Sequence, residues 1–214
     1  MSGLMDLLSG DFLPKFLAGM VINFEIAAIA LVIGLALGLL LAAGRLAGGV
    51  VKVITVSIIS LMRAAPTFVV MFFLLNAIPR DATLFGVPFA LSGVMTVALS
   101  LVPYSAAYVA DAGVDSIGHL RAGATHGALL FLPNVTRAFF VLVMSSSAGA
   151  AIGVTEGITV ILRQAEQLSD FSDRLVLFAI GIVLFGIPLQ AGFMLMSLFQ
   201  RRFGRSTAEE EASA

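Results

Sequence analysis

The sequence predicts an all-α integral membrane protein, because it has few charged residues and several long apolar segments. Of its 214 residues, 59% are hydrophobic and only 12% are charged, whereas a soluble domain carries about 25% charged residues. Backbone groups inside a bilayer must hydrogen-bond within their own segment, which favours helices over open strands. We therefore expect residues 1–214 to form a single membrane domain.

Five segments approach the roughly 20 apolar residues that cross a hydrocarbon core of about 30 Å. They cover about residues 16–43, 50–78, 87–109, 128–152 and 175–199. The fourth is the least regular, because Pro133 and the run Ser145–Ser147 interrupt its apolar pattern. The sequence therefore predicts five spanning helices, followed by a tail over residues 200–214.

The distribution of lysine and arginine predicts the orientation, because cytoplasmic loops carry an excess of these residues. With five spans, one side holds seven of them: Arg45, Lys52, Arg121, Arg137, Arg201, Arg202 and Arg205. The other side holds four: Lys15, Arg80, Arg163 and Arg174. This bias predicts an external N-terminus and a cytoplasmic C-terminal tail.

Composition also excludes several kinds of chemistry. The net charge of −1 argues against a nucleic-acid partner, since phosphate binding needs a basic excess. Cysteine is absent, and the two histidines, His119 and His126, lack a nearby ligand cluster, so we expect neither a metal nor another cofactor. The lysines, Lys15 and Lys52, do not lie in a phosphate-binding Gly-rich loop. Any ATP hydrolysis must therefore occur on another chain.

One charged residue lies inside an apolar segment. Arg63 either extends to the interface or forms a clamp with Asp111 or Asp115, because an unpaired charge in lipid is costly. If it is a clamp, Arg63→Ala should harm folding more than Arg63→Lys does. Pro66, one turn later, should kink or start the spanning helix.

Other polar residues in the spans have either a structural role or a role in transport. Asn23 and Glu25 in the first span are either interfacial groups or contacts to a substrate or a binding protein. The hydroxyls of Ser145, Ser146 and Ser147 either lie within a packed span or line a polar path. Gly149 and Gly153 have the small-xxx-small spacing that lets helices pack closely.

The segment 111–133, between the third and fourth spans, is rich in small residues and lies on the predicted cytoplasmic side. It is either a solvated connector or a docking surface, because small residues let another backbone approach closely.

Several groups of residues resemble, in order, the motifs of one transporter family. They are the first span from Gly19 through Asn23-Phe-Glu25 to Gly44-Arg45, Arg63-Ala-Ala-Pro66, Ala107-Tyr-Val-Ala-Asp111, Ser116-Ile117, Arg121-Ala122-Gly123 with Gly127 and Leu132-Pro133, and Ile152-Gly-Val-Thr-Glu156. The chain resembles the permease subunits of polar amino-acid importers of the ATP-binding-cassette (ABC) class, histidine/glutamine type. Arg121 stands where that family has glutamate.

The resemblance implies a permease-like bundle in the cell inner membrane that moves amino acids or similar small polar solutes by alternating access. It implies three partners: a cytoplasmic ATPase, an external solute-binding protein and a second permease subunit. It also implies that Arg121, Ala122, Gly123, Gly127 and Pro133 belong to an ATPase-coupling loop, and that Arg63, Pro66, Asp111 and Glu156 have structural or gating roles.

Two alternatives remain open on the sequence. A carrier or channel without an ATPase would need ion-coupling carboxylates in its spans, for which Glu25 is the candidate. An intramembrane serine hydrolase would use Ser145–Ser147 with a histidine on a neighbouring helix, whereas both histidines fall in the connecting segment.

Overall fold

The computed structural model describes residues 10–78, 83–84, 87–88, 91–124 and 128–211. Its helices are α1 (Phe12–Ala47), α2 (Gly49–Ala64), α3 (Thr67–Ala77), α4 (Gly93–Arg121), α5 (Phe131–Ser145), α6 (Gly157–Ala165) and α7 (Phe171–Glu211). A 3-10 helix, η1 (Ser146–Ile152), continues α5. A short antiparallel ribbon joins β1 (Thr83–Leu84) to β2 (Val87–Pro88), with Thr83 opposite Pro88.

Four helical stretches of the described residues are long and apolar enough to cross a membrane. They are Phe12–Ala47, Gly93–Arg121, Phe131–Ile152 and Phe171–Leu198, and the pair α2 and α3 makes a fifth if it counts as one broken span. The chain is thus a multi-pass membrane protein, and the predicted all-α class is confirmed with four to five spans.

The segment predicted as a span over 50–78 contains two helices, α2 and α3, which are bent by 93° at the break between them. Ala65 and Pro66 lie at this break in extended conformation, with ψ of 115° and 123°. Proline disfavours a helical conformation in the residue before it and lacks the N–H that would continue the helix. Pro66 therefore ends α2 and starts α3.

The third helix lies further along the chain than the sequence predicted. Val87 is in the ribbon, and α4 begins at Gly93 and runs to Arg121. Asp111, Asp115 and Arg121 are consequently helical and not part of a loop. The connection between the third and fourth spans, predicted over 111–133, therefore begins only after Arg121. Gly123 there has a left-handed φ of 78°, a conformation that ends many helices.

The remaining helices also differ from their predicted bounds. Helix α1 exceeds the predicted span 16–43 by four residues at each end, and α7 continues through Glu211, into the predicted tail. The irregularity predicted in the fourth span is present as the change from α5 to η1 at Ser146. Gly153 does not pack a neighbouring helix, because it ends η1 with φ of 81° and no heavy atom lies within 4 Å of a β-carbon placed there.

The chain divides into two compact units, each built from separate stretches of sequence. Unit 1 takes the described residues of 1–29, 66–101 and 142–188, and unit 2 takes those of 30–65, 102–141 and 189–214. In unit 1, one apolar cluster joins the start of α1 to α6 and α7: Phe12, Phe16, Met20, Val160, Ile161, Ala165, Leu168 and Leu177.

Unit 2 contains a smaller cluster and a close helix crossing. Ile59 of α2 packs against Ala107 and Ala110 of α4. A β-carbon at Gly38 of α1 would lie 2.7 Å from the carbonyl oxygen of Ala106. The glycine therefore allows α1 and α4 to pack with their backbones close together.

Candidate functional site

Asn23 is the polar centre of unit 1. Its side chain is fully buried on α1. The amide nitrogen donates to Ser146 Oγ at 2.8 Å and to Glu156 Oε2 at 3.0 Å, while its oxygen accepts from the backbone N–H of Gly157 at 3.0 Å. Asn23 therefore connects α1 both to the start of η1 and to the start of α6.

Glu156 is also fully buried and caps the N-terminus of α6. Its Oε2 accepts from the N–H of Ile158 at 2.9 Å, and its Oε1 accepts from the N–H of Thr159 at 2.8 Å. The first N–H groups of a helix have no intrahelical acceptor. Glu156 satisfies two of them, and Asn23 satisfies the N–H of Gly157.

The hydroxyl of Thr159 completes this network. It lies 2.6 Å from the carbonyl oxygen of Val154 and 3.0 Å from Glu156 Oε1, so its single proton can be donated to either. Within the described residues, no lysine or arginine forms an ion pair with Glu156. The buried carboxylate is instead stabilised by the helix N-terminus and by N–H and O–H donors.

Gly19 brings α1 close to this network. It precedes Asn23 by four residues, on the same face of the helix. A β-carbon there would lie 2.8 Å from both the carbonyl carbon of Glu156 and the backbone nitrogen of Gly157. Because backbone atoms cannot rotate away, this position tolerates only glycine without a shift of α1.

Gly19→Ala should therefore lower the stability of the folded protein by about 1–3 kcal/mol, through overpacking. The matched control is Gly186→Ala in α7 of the same unit, where no heavy atom lies within 4 Å of an added β-carbon. Alanine should be neutral or slightly stabilising there. Thermal unfolding in detergent measures both, and equal melting temperatures for the two variants would contradict the close approach.

Of the other predicted path residues of unit 1, Ser146 is the one that the described contacts join to this network. Glu25 is exposed on α1, and Ser145 is partly buried at the end of α5. Ser147 donates to the carbonyl of Met144 at 2.6 Å. Ser146 is shared, since it donates to the carbonyl of Val143 at 2.7 Å and accepts from Asn23.

Unit 2 contains a second polar cluster, around Asp111. Arg45, at the end of α1, donates from Nη1 to Asp111 Oδ1 at 2.8 Å. Arg63, at the end of α2, donates from Nη2 to Asp111 Oδ2. One carboxylate thus connects three helices, and the cluster has a net charge of +1. Of the two carboxylates that the sequence offered Arg63, Asp111 is its partner.

The predicted coupling residues lie on both sides of an undescribed stretch. Arg121 ends α4, and Ala122 and Gly123 form the turn that follows. The N–H of Ala124 donates to the carbonyl of His119 at 2.9 Å, which closes the helix end. Gly127 lies outside the described residues, and Pro133 lies in the first turn of α5.

The contacts of two residues in these clusters were not predicted. Arg45 was counted for orientation and as the end of the first-span motif, but nothing in the sequence shows that α1 ends beside α4. Glu156 was expected, from the resemblance, to have a structural or gating role, but its burial and its contact with Asn23 were not foreseen. A capping signal was present, since Thr155 and Glu156 directly precede an apolar helical run.

The described residues contain no group of three or more histidine, cysteine, aspartate or glutamate side chains that could hold a metal ion. Unit 1, which contains Ser145–Ser147, has no histidine in its sequence ranges. The hydrolase alternative therefore gains no support from this unit.

No protein-family model matches the chain, and no curated protein matches it. A solved structure described as the crystal structure of an amino acid ABC transporter with histidines is similar. Its TM-score is 0.69 at 21% sequence identity, with 92% of this chain and 97% of that chain covered. The likeness extends over almost the whole of both chains, and it shows that this chain has the fold of a membrane subunit of an ABC transporter.

Proposed function

We propose that this chain is the membrane-spanning permease subunit of an ABC importer for amino acids or similar small polar solutes. The observation that carries the proposal is the shared fold with a chain of an amino acid ABC transporter, over 92% of this sequence. The order of the motifs around Arg63, Asp111, Arg121 and Glu156 supports it independently of the overall fold.

In the proposed assembly, the chain pairs with a second permease subunit, a cytoplasmic ATPase and an external solute-binding protein. It lies in the cell inner membrane with its N-terminus outside and its C-terminus in the cytoplasm. The absence of a phosphate-binding Gly-rich loop from the sequence agrees with ATP hydrolysis on a separate subunit.

The proposed mechanism is alternating access driven from the connection between α4 and α5. Closure of the ATPase dimer would pull on the segment that follows Arg121, and α4 would transmit this movement. Since α4 is helical from Gly93 to Arg121, a displacement at its end reaches Asp111 without an intervening flexible loop. Asp111 also binds α1 and α2 through Arg45 and Arg63, so these helices would move with α4.

Ala122→Phe should block binding of the ATPase without unfolding the permease. Ala122 is exposed and follows the last helical residue of α4, so a large side chain there obstructs a partner that approaches the turn. Gly123 is left unchanged, because its φ of 78° would strain any other residue. Co-purification with a candidate ATPase subunit should fall about tenfold, which corresponds to a loss of about 1.4 kcal/mol.

The control is Val183→Phe, an equally bulky change at a side chain of α7 that is 59% exposed. It should leave co-purification unchanged. Substrate-stimulated ATP hydrolysis in liposomes gives a second measurement of the same contact. Normal co-purification and normal stimulation in Ala122→Phe would overturn the proposed docking site, and failure of the wild-type chain to recruit an ATPase would overturn the proposed function.

A further inference from the structure

The polar cluster of unit 2, formed by Arg45, Arg63 and Asp111, has a positive charge that the described residues do not balance. Arg45 contacts Asp111 through Nη1 and Arg63 contacts it through Nη2. The described residues give neither arginine a second carboxylate. Because a guanidinium presents five N–H donors, most of the donors of both arginines stay available. The cluster therefore has room for one more anion.

The available donors are accessible from outside the chain. The side chain of Arg45 is 36% exposed and that of Arg63 is 60% exposed. Asp115, the next carboxylate of α4, is exposed, and within the described contacts it forms no ion pair with either arginine. The balancing anion must therefore come from outside this chain.

Asp111 lies where the apolar part of α4 ends. From Gly93 to Ala110 the helix contains no charged residue, and this stretch is about 27 Å long. The hydrocarbon core of a bilayer is about 30 Å thick, so Asp111 is expected at the level of the lipid headgroups. Tyr108, one turn before Asp111, fits this level, because tyrosine is enriched where a span meets the membrane interface.

Apolar side chains close in sequence to both arginines are exposed. Leu40 of α1, five residues before Arg45, is 70% exposed, and Leu61 of α2, two residues before Arg63, is 73% exposed. Acyl chains can cover such surface, whereas a soluble anion cannot. A ligand that carries both a negative charge and acyl chains thus matches the arginines and the apolar surface together.

We propose that Arg45 and Arg63, held together by Asp111, bind the phosphate of one anionic phospholipid of the phosphatidylglycerol type. The two guanidiniums donate charge-assisted hydrogen bonds to the phosphate oxygens. The single negative charge of this headgroup balances the net charge of +1 on the cluster, whereas zwitterionic phosphatidylcholine has no net charge to contribute. The inference needs only the membrane fold, so it stands or fails separately from the proposed transport function.

The test measures lipid binding to the purified full-length chain in detergent by native mass spectrometry. Phosphatidylglycerol and phosphatidylcholine with identical acyl chains are titrated separately. The wild type should bind the anionic lipid about tenfold more tightly, and Arg45→Gln and Arg63→Gln should each reduce this preference about fivefold, the contribution of one basic residue near an anionic headgroup. Arg163→Gln, at an exposed arginine of α6, is the control and should keep the full preference.

An unchanged preference in both Arg45→Gln and Arg63→Gln would overturn the inference, because the lipid would then bind elsewhere. Equal binding of the two lipids by the wild type would overturn it as well. Arg45→Lys should retain part of the preference, because it keeps the charge but loses the planar arrangement of donors.

Asp111→Asn separates lipid binding from a purely structural role, because the two predict opposite results. The substitution raises the net charge of the cluster to +2, so the affinity for phosphatidylglycerol should rise about threefold although the fold becomes less stable. The added lipid should also narrow the gap in melting temperature between this variant and the wild type, whereas phosphatidylcholine should not. A weaker preference for the anionic lipid in Asp111→Asn would overturn the inference.

Competition identifies the source of the anion. Inorganic phosphate and glycerol phosphate should not displace phosphatidylglycerol even at about hundredfold excess, because they have no acyl chains. Displacement by either at a concentration equal to that of the lipid would mean that the cluster binds soluble anions, and the lipid assignment would be wrong. Displacement by a candidate ATPase subunit would instead make the cluster a protein interface and would equally overturn the inference.

Discussion

Glu156→Ala should lower the melting temperature of the detergent-solubilised protein by about 6–12 °C. The substitution removes the acceptor for the N–H groups of Ile158 and Thr159 and one acceptor for the Asn23 amide. A buried donor without an acceptor costs about 1–3 kcal/mol, so a total of about 3 kcal/mol is expected. For a chain of this size, each kcal/mol corresponds to about 2–4 °C. Thermal unfolding followed by size-exclusion chromatography measures the change.

Glu166→Ala is the matched control, because Glu166 lies at the C-terminal end of the same helix and is exposed. A carboxylate at that end opposes the helix dipole, so its removal should be neutral or slightly stabilising. The melting temperature of Glu156→Gln should lie between those of the wild type and Glu156→Ala. The glutamine amide keeps one oxygen acceptor, but its NH2 group is a hydrogen-bond donor placed next to other donors. Similar melting temperatures for Glu156→Ala and Glu166→Ala would show that the cap does not contribute to stability.

The length of the apolar segments predicted most of the spanning helices correctly, because a helix that crosses the bilayer must be about as long as its hydrocarbon core is thick. It failed where helix continuity depends on local backbone chemistry. Apolar length alone shows no break in the run 50–78, whereas Pro66, where the sequence predicted a kink or a helix start, lies at the 93° bend between α2 and α3. Conversely, α4 continues past Asp111 to Arg121 because helical backbone does not need an apolar side chain at every position, and Gly123 is the first residue after it with positive φ.

The polar clusters were harder to predict than the spans, because each joins residues far apart in sequence. Asn23 contacts Glu156 across 133 positions, and no spacing rule along one helix connects them. The sequence paired Arg63 with two candidate carboxylates but could not choose between them. It also offered no reason to include Arg45, since the choice depends on which helix ends meet. Residue type indicated that these groups need partners, whereas the fold determines which partners they find.

The shared carboxylate of Asp111 changes what substitutions of the arginines should do. The sequence alone suggested that Arg63→Ala would leave a poorly solvated carboxylate. In the structure, Arg45 lies 2.8 Å from Asp111 Oδ1, so the carboxylate should stay paired with Arg45 after that change. Loss of either arginine alone should therefore cost little, about 1 kcal/mol or less, as for other partly exposed pairs.

Asp111→Asn should lower the stability more than either arginine substitution, because it leaves the guanidinium groups of Arg45 and Arg63 close together without an anion between them. Two like charges about 5 Å apart repel by about 3 kcal/mol at an effective dielectric constant of 20. The three side chains are 36–60% exposed, and screening by solvent reduces this to about 1–2 kcal/mol, or roughly 3–6 °C in melting temperature.

Adding Arg63→Met to Asp111→Asn should recover most of this loss, since a single guanidinium can reach water or a headgroup. Asp115→Asn, at an exposed carboxylate four residues further along α4, is the control and should leave the melting temperature unchanged. Raising the salt concentration should narrow the gap between Asp111→Asn and the wild type, because mobile ions screen the repulsion of exposed charges. A gap that is independent of salt, with no recovery in the double variant, would mean that Asp111 stabilises the fold by packing rather than by joining two positive charges.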